Sequence, residues 1–355
     1  MIEFGQNNKG SNAMFRIARA NLWHHATFAE EMGAHPGLQL ETFDRNDFAQ
    51  AWAALADADI YQITSARDEL PPSLHAKSDL LDRCPRLLCV STGGAGFDTV
   101  DVQACNRAGV LVVHQAGSNA QSVAEAAIGL MIDLTHRLTL CDRRMRHDRD
   151  FVREDFMGQE ITGATLGIVG LGNVGRRVSR LAAAFEMKVL ACDPFLDSKE
   201  IEERGAQAVS FSELLQRADI ITVHCPRDTT TIGLFDAKAF SAMKPGAYFL
   251  NTARGGIHMQ NALLAALESG QIAGAGLDVW DLEPPALDDS LLHHPRVIAT
   301  YHCAGVTEQS RRRMAQWAAD QLIGMLLRGE TPPRMINPEL WPSVKAKILA
   351  RSQLG

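Results

Sequence analysis

Thr165-Leu-Gly-Ile-Val169 runs directly into Gly170-Leu-Gly-Asn-Val-Gly175, and an amphipathic helical pattern follows to about residue 185. A Gly-x-Gly-x-x-Gly turn is weak by itself, but a strand before it and a helix after it give it a specific reading. Gly170 permits the tight turn, Gly172 lets the backbone approach a pyrophosphate, and Gly175 lets the helix pack on the strand. The N-terminus of the helix that follows brings unpaired N–H groups and a partial positive charge to the phosphates. The next predicted strand, 187–192, ends at Asp193, which is 193 − 175 = 18 residues after the last glycine. A carboxylate there accepts hydrogen bonds from ribose hydroxyls and repels a 2′-phosphate. Pro194-Phe195-Leu196 brings no arginine, so NAD is favoured over NADP.

Outward from this unit the chain repeats the same alternation. Predicted strands at 165–169, 187–192, 219–223, 247–251, 274–279 and 297–300 are mostly separated by helical patterns, as a six-stranded doubly wound sheet requires. Upstream, apolar runs at 15–20, 60–64, 87–91 and 110–113 predict a second parallel β/α series. A helix over about 118–140 is expected to connect the two, and another spans about 307–328. Pro332, Pro333, Pro338 and Pro342 predict an extended tail from 331. Residues 1–13 are polar, and Ser11-Asn-Ala13 before Met14 resembles a cloning scar, so that stretch is set aside.

Composition narrows the function classes. The chain has 355 residues, 46% of them hydrophobic, which suits two domains. A net charge of −7 argues against nucleic acid. The densest basic stretch, 143–153, is diluted by Asp148 and Asp150 and reads as a solvated helix end. No apolar run reaches membrane-spanning length. Seven cysteines, an odd number without a Cys-x-x-Cys, suggest neither a disulfide framework nor a metal site. A cytoplasmic, reducing setting is expected.

Ligands of doubly wound sheets bind beyond the carboxyl ends of the strands. Asn251-Thr-Ala-Arg254-Gly-Gly256 ends one predicted strand and places Arg254 there, able to fork onto a carboxylate or carbonyl. Asp278 and Glu283 follow the next strand, and His302 follows the last. A histidine at such an end is a natural proton donor.

At this point the sequence resembles the D-isomer-specific 2-hydroxyacid dehydrogenases, a family that includes phosphoglycerate dehydrogenase and glyoxylate/hydroxypyruvate reductase. The resemblance covers about 55–342. It rests on Ser91-Thr-Gly-Gly-Ala-Gly-Phe-Asp98, Gly117-Ser-Asn-Ala-Gln-Ser-Val-Ala-Glu125, the Gly170 loop, His224-Cys-Pro226 with Thr230 and Gly233, and the segments around Arg254, Glu283 and His302. It implies an α/β protein of two doubly wound parallel-sheet domains. A Rossmann NAD-binding domain (118–303) would be inserted into a flavodoxin-like substrate domain (14–117 and 304–345), with hinges near 116–119 and 303–306 letting a cleft close.

The same resemblance implies a catalytic trio: His302 as acid and base, Glu283 paired with it, and Arg254 on the substrate. It implies a backbone N–H cradle for the substrate carboxylate at Gly94, Ala95 and Gly96. Asn173 and Val174 would meet the pyrophosphate, Cys225 and Pro226 would lie on the adenosine side, and Thr230 would also bind the cofactor. Thr252 and Ala253 would lie on the nicotinamide side, Asp278 would hold the nicotinamide carboxamide, and Arg254, His302 and Ala304 would also bind the cofactor. Relatives are usually homodimers, joined through the cofactor domain and the long connecting helix. Two departures bear on ligand fit: Ala126 follows Val-Ala-Glu where many relatives have histidine, and Cys303 intervenes before Ala304-Gly305. No room is expected after Pro342 for the regulatory domain of some phosphoglycerate dehydrogenases.

The expected function is NAD-dependent interconversion of a small D-2-hydroxy acid and its 2-keto acid, with a lean toward glyoxylate or hydroxypyruvate, and no nucleic-acid or membrane partner. A formate-dehydrogenase-like activity is disfavoured, because that branch has glutamine where this chain has Glu283; phosphite oxidation stays open. The alternative of another class is a non-enzymatic, NAD-sensing corepressor-like scaffold of the same architecture.

Overall fold

The computed structural model describes residues 15–352, so the scar expected at 1–13 lies outside the described residues. The described residues form two compact units, one from 15–119 together with 308–352, the other from 120–307.

The first unit is built on β1 (Phe15–Ala20), β2 (Leu38–Phe43), β3 (Ile60–Ile63), β4 (Cys89–Thr92) and β5 (Leu111–Val113). All are parallel, in the order β2-β1-β3-β4-β5, the flavodoxin-like arrangement. Both faces are covered, and so every residue of β3, β4 and β5 is buried. One face packs Ala18, Phe43, Tyr61 and Val90 into a core. The other packs Phe15, Ile17, Ile60 and Cys89 with Ala318, Leu322, Val344 and Ile348 from the chain's last helices. β2 escapes the sequence reading because it is an edge strand with a partly exposed middle.

The tail departs from expectation. Instead of an extended segment, Trp341–Ser352 is a helix. Pro342 stands in its first turn, where a missing N–H costs nothing. Trp341, Val344 and Ile348 form its buried stripe. Asp59, wholly buried, accepts the Arg16 N–H at 2.8 Å and the guanidinium groups of Arg86 and Arg351, and so ties this helix to the sheet.

The second unit is built on β6 (Thr165–Val169), β7 (Lys188–Cys192), β8 (Gln207–Ala208), β9 (Ile220–Val223), β10 (Ala247–Asn251), β11 (Ile272–Leu277) and β12 (Val297–Ala299). The order is β12-β11-β10-β9-β6-β7-β8, all parallel, with the topological switch between β6 and β9. The sheet has seven strands rather than the six predicted, because the two-residue β8 is too short to show a period. The predicted helix over 118–140 is two helices, Ala120–His136 and Leu138–His147, broken where Arg137 takes φ 57°. Among the described residues no helix is long and apolar enough to cross a membrane.

Candidate active site

The glycine loop is built as its spacing predicts. Gly170 has φ +91°, and a Cβ on it would lie 2.6 Å from the Cys225 nitrogen. A Cβ on Gly175 would lie 2.2 Å from the Gly170 oxygen, so only glycine lets the helix approach β6. At Gly172 a Cβ would meet nothing within 4 Å, so the loop opens to free space on that side. Among the described residues, the N–H groups of Gly172, Asn173 and Val174 donate to no protein acceptor. Donors that stay unspent at a helix N-terminus fit a pyrophosphate.

Asp193 stands over this loop. Its Oδ2 accepts the Leu171 N–H at 2.8 Å and its Oδ1 accepts the Phe195 N–H at 3.0 Å. Each oxygen keeps a lone pair for a ribose hydroxyl. Arg204, from the helix end beyond β7, donates to the Leu171 carbonyl at 2.8 Å. Cys225 and Pro226 follow β9, and Thr230 is turned onto Asp228 through both its N–H and its hydroxyl.

β10 delivers the next group. Asn251 is fully buried; its Oδ1 accepts the Ala253 N–H at 2.9 Å and its Nδ2 donates to the Arg254 carbonyl at 2.9 Å. This fixes the turn that carries Thr252, Ala253 and Arg254. The turn abuts the next one so closely that a Cβ on Gly255 would lie 2.0 Å from the Trp280 oxygen.

β11 and β12 deliver the pair that defines the site. His302 Nδ1 lies 2.8 Å from Glu283 Oε2, and Glu283 Oε1 accepts the Trp280 N–H at 3.1 Å. Burial would lower the His302 pKa, but the hydrogen bond and charge of Glu283 outweigh it, and the net direction is up from 6.5. Burial would likewise raise Glu283, but His302, the Trp280 N–H and the Arg254 charge bring it below its ordinary value. The pair therefore favours imidazolium beside carboxylate, with Nε2 on the far side of the ring for a ligand.

His302 has φ +43°, unusual for a residue with a side chain. What holds it is Asp278. Its backbone carbonyl accepts the His302 N–H at 2.7 Å. Its buried carboxylate accepts the Thr300 hydroxyl at 2.7 Å, the Cys303 N–H at 2.9 Å and the Ala304 N–H at 3.0 Å. The Ala304 N–H is thus engaged within the protein, and Asp278 retains one carboxylate lone pair. Asn251, Trp280 and Thr300 are supporting residues whose role the sequence does not reveal. Their hydrogen bonds join separate strand ends, and no periodicity marks them.

In the first unit, Gly94, Ala95 and Gly96 form the loop after β4. The Gly94 carbonyl accepts from Gln115 N at 2.8 Å and Thr92 Oγ1 at 3.1 Å, and the Ala95 carbonyl lies 3.0 Å from His114 Nδ1. With those carbonyls tied down, the N–H groups of the three residues find no acceptor among the described residues. Such a run of unspent donors fits a carboxylate.

Comparison with known proteins gives a consistent result. Residues 128–304 match the model of the D-isomer specific 2-hydroxyacid dehydrogenase NAD binding domain. The D-3-phosphoglycerate dehydrogenase of Archaeoglobus fulgidus is 37% identical over 267 residues, 75% of this chain and 50% of that protein. The chain spans about half the length of the curated relatives it matches. A glyoxylate reductase from Paecilomyes thermophila superposes with a TM-score of 0.79 at 25% identity, over 92% of this chain and 99% of that one. A D-lactate dehydrogenase from Aquifex aeolicus, complexed with NAD and lactic acid, gives 0.76 at 26% identity, over 90% and 98%. With its two parallel sheets, its glycine loop and these matches, the chain belongs to the D-isomer specific 2-hydroxyacid dehydrogenase family.

Proposed function

We propose that this protein is an NAD-dependent oxidoreductase that interconverts a small D-2-hydroxy acid and its 2-keto acid. The observation that carries the reading is the 2.8 Å pair of His302 and Glu283 at the strand ends of a nucleotide-binding sheet. When bound, the nicotinamide dinucleotide supplies or accepts the hydride. Protonated His302 gives its Nε2 proton to the substrate oxygen during reduction and takes it back during oxidation. Glu283 holds the ring by Nδ1 and stabilises its charge. Arg254 binds the substrate carboxylate or carbonyl, and the N–H groups of Gly94, Ala95 and Gly96 take the carboxylate. Asp193 supports NAD over NADP by placing a negative charge where a 2′-phosphate would sit.

A homodimer belongs to the same reading. Helix Leu138–His147 buries none of its residues, and Leu138, Met145, Val152 and Met157 are all more than half exposed. A second copy of the chain would cover that strip. The seven cysteines are all free thiols, which supports a cytoplasmic setting.

The test is NADH oxidation against glyoxylate, hydroxypyruvate, pyruvate, 2-oxoglutarate and 3-phosphohydroxypyruvate, repeated with NADPH. Turnover of a keto acid with NADH is the expected result. Silence across the panel while NADH still binds would move the reading to the corepressor-like scaffold.

A further inference from the structure

Alternate residues of a strand share a face. Phe15 and Ile17 of β1 pack into the core formed with helix Glu308–Arg328, and so Arg19 projects toward the same side. In register, Arg19 lies beside Gln62 of β3, and Gln62 beside Ser91 of β4. Three polar side chains therefore cross the carboxyl ends of three adjacent strands on an otherwise apolar face.

The row is unsatisfied. Among the described residues, Arg19 Nη1, Gln62 Oε1 and Ser91 Oγ are buried without a hydrogen-bond partner, and so is Arg311 Nε from the first turn of helix Glu308–Arg328. Gln62 is only 5% exposed and Ser91 is fully buried. Arg19 Nε donates to Thr42 Oγ1 at 3.1 Å, and Arg311 lies over the exposed Trp23 ring, 5.7 Å from its centroid. Neither arginine pairs with a carboxylate among the described residues; the nearby Glu308 is held by His25 at 3.0 Å. His24 is pushed down to about 4 by burial and by the charges of Arg19 and Arg311, so it is neutral and adds no third positive charge. Two cations drawn partly out of water without a counter-ion are costly, and an anionic ligand would offset that cost.

The cluster adjoins the 94–96 loop. Gln62 Nε2 lies 3.6 Å from where a Cβ on Gly93 would stand. β1 and β4 are two strands apart, about 10 Å. The cluster and the loop thus stand at the same end of neighbouring strands of one sheet, as a ligand carrying two acid groups requires.

We propose that Arg19 and Arg311 form a second anion site and that its ligand is the distal carboxylate or phosphate of a dianionic 2-keto acid. The first carboxylate of that acid takes the N–H groups of the 94–96 loop. This rests on the dehydrogenase reading above and deepens it by naming the substrate class. It also displaces the lean toward glyoxylate.

The experiment compares kcat/KM for matched pairs: 2-oxoglutarate against its 5-amide, and 3-phosphohydroxypyruvate against hydroxypyruvate. It uses the full-length protein, Arg311→Met and Arg311→Lys, and measures glutarate and inorganic phosphate binding by calorimetry alongside. The wild type is expected to prefer one dianion over its partner by about 10–100-fold, the range of a charge-assisted contact. Which pair shows the preference tells carboxylate from phosphate. Arg311→Met should bring that ratio close to one, and Arg311→Lys should keep most of it. Equal use of both members of each pair, or a preference untouched by Arg311→Met, would overturn the proposal. Turnover without Arg311-dependent anion binding removes the anion site and leaves the dehydrogenase reading standing. Arg311-dependent binding without turnover of any keto acid keeps the anion site and removes both its substrate role and that reading.

Discussion

Asp278 accepts the backbone N–H of Cys303 at 2.9 Å, and through that bond the end of β11 sets the conformation of the residue after His302. The bond is buried and shares its carboxylate with Thr300 and Ala304. Asp278→Asn puts an NH₂ group against at least one of these donors. The expected result is a loss of about 1–3 kcal/mol in unfolding free energy, the cost of a buried unsatisfied group. Turnover should fall too, because His302 loses the support for its positive φ. Denaturant unfolding together with kcat checks both; unchanged stability would mean that Asp278 does not hold this turn.

His302→Gln removes the proposed proton donor and keeps a polar side chain of similar reach. Turnover is expected to fall by about 10²–10⁴-fold. NADH affinity, followed by fluorescence titration, should change little. A variant as active as wild type would assign the proton to another group.

The pH profile depends on Glu283. Its hydrogen bond and charge raise His302 above 6.5 against the opposing effect of burial. With His302 as the proposed acid, reduction needs imidazolium, so its rate should hold at low pH and fall as pH rises through the raised pKa. Oxidation needs neutral imidazole and should show the opposite limb. Glu283→Gln removes the raising charge while burial stays, so the alkaline limb of reduction should move to lower pH. The folded state follows the same sign: stability from His302 protonation is present below 6.5 and lost as pH rises through the raised value. Profiles of kcat/KM for both proteins check this, and coincident limbs would argue against the pairing.

Cofactor choice is expected to turn on Asp193. Asp193→Ala removes the charge proposed to oppose a 2′-phosphate and leaves Arg204 close by at the Leu171 carbonyl. The ratio of kcat/KM with NADPH to that with NADH should rise by about tenfold or more, the scale of one lost like-charge contact. The loop should also loosen, since Leu171 and Phe195 lose their acceptor.

How much of this was legible in the sequence varies by element. Strands at Phe15–Ala20, Thr165–Val169 and Ala247–Asn251 coincide with apolar runs bounded by turn residues. Their burial is set locally, so local pattern reveals it. Leu38–Phe43 did not stand out because an edge strand keeps polar residues in its middle. The helix Trp341–Ser352 was hidden by Pro342, which breaks a helix interior but suits its first turn. In the site, Glu283 and His302 could be named from strand-end position, whereas their 2.8 Å contact spans 19 residues and needs the fold. The buried polar row of Arg19, Gln62 and Ser91 was invisible, because each residue alone reads as an interruption of an apolar run.

The first sheet draws one of its two cores from both ends of the sequence: Phe15, Ile17 and Ile60 pack with Leu322, Val344 and Ile348. During synthesis the ribosome must therefore make all of 120–307 before that core can close. The inserted unit has every residue it needs by then, so the order of emergence favours its finishing first. The host sheet meanwhile waits with an apolar face uncovered, and that interval is when the nascent chain has most need of a chaperone.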